Sequence, residues 1–168
     1  MKHLTSIIII FVLLFSCNGE QYFDYDNIDY YFIDFDKDKI IELYENKSKS
    51  VQDSIKLGVI SGEIPNDLMD LTFIGNLEAI GYRKKLIEIS KFKDINEIFV
   101  EKTAYESSAY ACVPVYRDIL VFKKNDKVVG VTKVCFDCRI HRIVGTESNT
   151  RDFGQSGDYE RLLRVIKD

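Results

Sequence analysis

The sequence predicts an α+β domain: N-terminal short helices packed on a C-terminal antiparallel β-meander of about three to four strands, closed by a C-terminal helix. Three observations carry this. Residues 110–123 and 127–136 are dense in Val, Ile, Tyr and Phe and are joined by Asn125-Asp126, a pair suited to a two-residue hairpin turn. Met69, Phe73, Leu77 and Ile80 recur at helical spacing upstream of the strands. Tyr159, Leu162, Leu163 and Ile166 make an apolar stripe at the C-terminal end. The 168 residues, 46% hydrophobic and 30% charged, suit one folded domain. A formal net charge of -4 gives no electrostatic reason to bind nucleic acid.

Residues 1–16 read as an address rather than part of the fold. Lys2 and His3 precede an unbroken apolar run, Ile7 to Phe15, too short to cross a bilayer as a helix. It ends in Leu14-Phe15-Ser16-Cys17. That ending resembles a bacterial lipobox, in which the cysteine sulfur receives a diacylglycerol and the peptide is cut before it. The resemblance implies 1–16 as signal peptide and Cys17 as lipidated N-terminus; the residues that follow read as a tether over 17–28 and a single domain over 29–168. It places the chain in the cell envelope, held to a bacterial membrane by its N-terminal lipid, since two or three acyl chains anchor stably.

Tyr22 to Asp36 alternates aromatics with acids and reads as the tether running into an edge strand, Asp29 to Phe35, with a carbohydrate or partner platform as the alternative. Asp34, Asp36, Asp38, Glu42 and Glu45 fall at five positions of a calcium loop. Lys39 stands where that loop needs glycine, so a helix starting near Asp38 competes. Ile40, Ile41 and Tyr44 suit one face of it. Ser50 and Asp53 can cap a second helix from Val51. Asp53-Ser54-Ile55 also resembles the O-glycosylation site of Bacteroidota envelope proteins. A helix over 66–80 follows, with Pro65 before it and Gly81 as its stop. Leu86 to Ile89 can form a brief strand, Phe92, Ile95 and Phe99 mark a short helix, and 101–111 reads as a loop.

In the hairpin, a turn that sets Lys124 against Lys127 puts Cys112 opposite Arg139, and one bulge near Pro114 would bring it opposite Cys138. A third strand, 139–145, follows a tight turn at Phe136-Asp137. Leu120 and Phe122 share one face of the first strand and Ile119 and Val121 the other, so both faces can be covered.

Beyond Cys17 the cysteines are Cys112, Cys135 and Cys138. An odd number in an oxidising compartment suggests one bridge and one spare thiol. The register favours Cys112 with Cys138, and Cys135 with Cys138 is the alternative. A zinc set of Cys112, Cys135, Cys138 and His141 has plausible local spacing, and simply buried thiols remain a third reading. A Cys–His dyad has no third group to orient it. Arg117 and Asp118 are adjacent in a strand and point to opposite faces, which suits salt bridges to neighbouring elements. The polar loop 146–157 offers Asn149, Arg151 and Gln155 as binding candidates beside Arg117.

The blocks Cys112 to Phe122, Cys135-Phe136-Asp137-Cys138 and Phe153 to Glu160 resemble a set of uncharacterised Bacteroidota lipoproteins. That resemblance implies an address and a common fold, and no activity. Without a cofactor motif, the expected function is a non-enzymatic binding domain whose partner is an envelope protein or a small ligand. An immunity-type lipoprotein against a toxin and a small cysteine-dependent enzyme are the alternatives.

Overall fold

The computed structural model describes residues 19–103 and 112–167; the stretch expected as signal peptide, Cys17 and most of the stretch expected as a loop, 101–111, lie outside them. It is α+β, as expected, with five strands rather than three to four. In chain order the elements are β1 (Asn27–Phe32), α1 (Lys37–Glu45), α2 (Val51–Ser61), β2 (Arg83–Leu86), α3 (Phe92–Ile98), β3 (Asp118–Lys124), β4 (Lys127–Cys135), β5 (Ile140–Val144) and α4 (Asp158–Lys167). The strands form one antiparallel sheet in the order β2-β1-β3-β4-β5. Among the described residues no helix is long and apolar enough to cross a membrane.

The β3-β4-β5 meander is the one expected. Asn125 and Asp126 both take positive φ, 49° and 62°, and close the hairpin as a mirror-image turn that suits the sheet's twist. Lys124 faces Lys127, but the ladder then shifts between Lys123 and Phe122, so that Phe122 faces Gly130. The bulge therefore lies beside the turn and not near Pro114. Residues 112–117 leave the ladder altogether.

β1 was expected at an edge and lies inside the sheet, between β2 and β3. Its side chains are buried on both faces, Tyr30 toward one layer and Tyr31 toward the other. The alternation of β3 has the same consequence: Leu120 and Phe122 enter one core, Ile119 and Val121 the second, and all four are fully buried. On the first face α3 and α4 cover the sheet through Ile95, Ile98, Leu162 and Ile166. On the second face lie Ile40 of α1, Val59 and Ile60 of α2, and Phe73, Leu77 and Ile80. The result is three layers, helices on both sides of an antiparallel sheet.

Residues 22–28, assigned to a tether, belong to the fold. Tyr22 and Phe23 are buried against Phe99 and Phe122, and Gly130 leaves the space that the Phe23 ring fills. Glu101 donates its N–H to the Glu20 carbonyl at 2.8 Å, so the chain is already fixed there.

The calcium reading fails on Asp36, whose side chain accepts from the Asp38 N–H at 3.1 Å and caps α1. Of the apolar face expected for α1, only Ile40 is buried; Ile41 and Tyr44 are exposed. The capping box of Ser50 and Asp53 forms at the start of α2. The helix expected over 66–80 is instead a turn with a 3₁₀ segment, Thr72–Asn76. Asp67 takes the Met69 N–H on its side chain at 2.7 Å, giving the backbone an alternative to the helix. Met69 ends 93% exposed, while Phe73, Leu77 and Ile80 reach the core as expected. The brief strand comes earlier than expected, at Arg83–Leu86.

Candidate ligand-binding cleft

Three strands and a helix end meet in a cleft of about 450 Å³. Its base is a cross-strand row on the α3/α4 face: Arg83 of β2 pairs with Phe32 of β1, which pairs with Asp118 of β3. The next row sets Lys85 beside Tyr30. Side chains at alternate positions share a face, so Tyr30 and Phe32 stack, with centroids 5.2 Å apart and planes 18° from parallel. The Arg83 guanidinium lies over Phe32 at 4.5 Å. Ile166 and Lys167, in the last turn of α4, close the opposite wall, and Arg117 stands at the start of β3.

The floor is polar. The Tyr30 hydroxyl donates to Asp118 Oδ1 at 2.5 Å. Burial raises the Asp118 carboxyl above its ordinary range, against the opposing pull of the Tyr30 hydrogen bond and of Lys167 and Arg117. Tyr30 is raised in turn, by burial first and then by Asp118. The second Asp118 oxygen makes no hydrogen bond to a described residue. Arg117 binds Asp137 at 2.6 Å, and Lys37 of α1 binds the same carboxylate at 3.1 Å. These bonds, Lys37 foremost, hold Asp137 below the usual carboxylate range. No salt bridge to a described residue occupies Arg83, Lys85 or Lys167. Four cations and two carboxylates, Asp34 and Asp118, therefore line the cleft of a protein that is acidic overall.

Arg117 is the only binding candidate from the sequence that lines this cleft. Asn149 and Arg151 lie in the loop before α4, where the Asn149 side chain accepts the Arg151 N–H at 3.0 Å. Gln155 sits in the 3₁₀ turn that leads into α4. That loop is fastened from beneath: Phe153 is buried among Tyr22, Phe99 and Tyr159, and His141 holds the Thr150 carbonyl.

The cysteines resolve into a bridge between Cys112 and Cys138, with Cα atoms 5.7 Å apart, and a free, buried Cys135. Cys135 Sγ accepts the Val115 N–H at 3.4 Å. The zinc set is overturned by these bonds. Two of its thiols are joined to each other, and both His141 nitrogens are engaged, Nδ1 with the Tyr159 hydroxyl and Nε2 with Thr150. Among the described residues no group of three or more His, Cys, Asp or Glu side chains could hold a metal ion. The same engagements leave His141 turned to Tyr159 and Thr150 rather than toward a thiol.

Tyr30 and Phe32 belong to the aromatic run whose binding-platform reading ranked below the strand reading, and the cleft residues that sequence reading missed are Arg83, Lys85 and Lys167. One local signal existed: Arg83-Lys84-Lys85 is a basic run in a short strand. Its neighbours come from across the chain and depend on the strand order. Compared with protein-family models, curated proteins and solved structures, the chain has no match.

Proposed function

We propose that this chain is a lipid-anchored lipoprotein of the bacterial cell envelope, and that its α+β domain is a non-enzymatic binding module. The anchor rests on Leu14-Phe15-Ser16-Cys17 behind its basic start and apolar run. The binding role rests on one observation, the mixed-charge cleft in which Arg83, Lys85 and Lys167 carry no salt bridge to a described residue. Cations that hold no salt bridge to a described residue, set around an aromatic column, suit recognition more than stabilisation.

The fold bears on the anchoring. Gly19 is packed against the Glu101 carbonyl so closely that a Cβ there would clash, and Gln21 bridges to Val100. A lipid on Cys17 is then two residues from fixed structure, a reach of about 7 Å. The domain rests against the headgroups, with no long stalk. Cys17→Ala tests the anchor. The variant is expected to leave the membrane fraction or to stay unprocessed; acylation and fractionation like the parent protein would end the lipoprotein reading.

A further inference from the structure

We infer that the cleft between β1, β2, β3 and the end of α4 binds a small zwitterion with excess negative charge, an acidic amino acid or the N-terminal end of a short acidic peptide. This rests on the reading of the domain as a binding module and goes on to name the ligand class.

The lining charges exclude the simpler ligands. A plain anion would meet the rim cations but would also face the Asp118 carboxylate on the floor. A plain cation would meet Asp118 but would be repelled by Arg83, Lys85 and Lys167. Only a molecule carrying both signs satisfies floor and rim together. The floor is arranged for one donor: Tyr30 fixes Oδ1, and Oδ2 faces no described partner. A ligand ammonium is a donor of that kind and forms a charge-assisted bond. The rim is arranged for carboxylates. Arg83 is pre-set by its stack on Phe32 at 4.5 Å, and Lys85 stands one row away beside Tyr30. Arg117 is held by Asp137, and the three lining cations without a salt bridge to a described residue still outnumber the two lining carboxylates, which calls for a ligand with more acid than base. Burial that raises the Asp118 carboxyl also means that an incoming ammonium gains an under-compensated partner.

Isothermal titration of the purified full chain in detergent provides the test, with glutamyl-glutamate as probe. N-acetyl-glutamyl-glutamate lacks the ammonium, 1,5-diaminopentane lacks the carboxylates, and inorganic phosphate reports nonspecific anion binding. Glutamyl-glutamate is expected to bind, and acetylation to weaken it about tenfold or more. Asp118→Asn keeps an acceptor for Tyr30 and should abolish the difference between the two peptides. Arg83→Gln and Lys85→Gln, both at the rim, should weaken the two peptides alike. Equal binding of the acetylated peptide, or phosphate matching the dipeptide, overturns the assignment, and so does failure of all four probes. Since titration does not depend on membrane attachment, that failure leaves the Cys17 reading standing.

Discussion

His141 joins the last strand to the last helix: its Nδ1 lies 2.8 Å from the Tyr159 hydroxyl and its Nε2 lies 3.0 Å from the Thr150 carbonyl. The carbonyl can only accept, so Nε2 carries a proton, and in the neutral ring Nδ1 accepts from the Tyr159 hydroxyl. This arrangement needs a neutral ring. Burial lowers the His141 pKa below its ordinary 6.5, outweighing the Thr150 hydrogen bond. The unfolded chain therefore binds a proton at a higher pH than the folded one. The stabilisation is complete above about 6.5 and is lost as pH falls through the folded pKa. Urea midpoints should fall between pH 7.5 and pH 5. In His141→Gln the part of that fall due to the ring should vanish, and matching profiles for the two proteins would refute the neutral clamp.

Gly130 faces Phe122 in the register of β3 and β4, and a Cβ on it would lie 2.1 Å from the Phe23 ring. That ring is buried and packs on Phe99 and Phe122. Gly130→Ala should cost about 2 kcal/mol through overpacking. Phe23→Ala should cost about 3 kcal/mol or more through the cavity it leaves. Equilibrium denaturation of both variants checks this. An unchanged Phe23→Ala would return residues 22–28 to the status of a tether.

The disulfide gives a third expectation. Cys112 and Cys138 are 26 residues apart, and closing such a loop is worth on the order of 3 kcal/mol in the chain-entropy model. Peptide mapping without reductant should find these two linked and Cys135 alkylated only after unfolding, because it is 2% exposed. Cys138→Ser should lower the denaturation midpoint by a comparable free energy. A Cys135–Cys138 peptide would show that the meander is stapled across its turn instead.

What could be read in advance divides along local and long-range lines. The hairpin at Asn125-Asp126, the capping box at Ser50 and the two-sided burial of β3 follow from residues adjacent in sequence. The pairing of Cys112 with Cys138 was expected for a wrong reason. The ladder shift lies at the turn, and the bridge forms because 112–117 leaves the sheet. Around residues 66–80 the apolar spacing matched a helix, yet a single side-chain bond from Asp67 to the Met69 N–H redirects the backbone. Tyr22 and Phe23 looked like tether residues because they open a run that alternates aromatics with acids, and their burial depends on strands a hundred residues away. The cleft was least legible. Its rows exist only because β1 inserts between β2 and β3, and no periodicity announces that.

Lys133 offers the last expectation. It lies on β4 with 1% exposure, its ammonium donating to the Val59 carbonyl at 2.7 Å and to the Ile64 carbonyl, and its charge near the Tyr116 ring. Val59 is in the last turn of α2, where carbonyls lack partners within the helix, so Lys133 acts as a cap supplied by the sheet. Burial lowers its pKa to about 7, with the nearby Arg142 adding to the shift. A neutral amine still has two N–H groups, enough for both carbonyls. The unfolded chain keeps this proton up to about 10.5, so stability should rise as pH climbs from 7 toward 10.5. Lys133→Met fills similar space but leaves both carbonyls without a donor, at a cost of about 2 kcal/mol or more. It should also remove the alkaline rise. Denaturation midpoints at pH 7 and pH 9 separate the two effects. A stable Met variant would mean that water serves the carbonyls, and an unchanged alkaline slope would mean that the lysine is charged throughout.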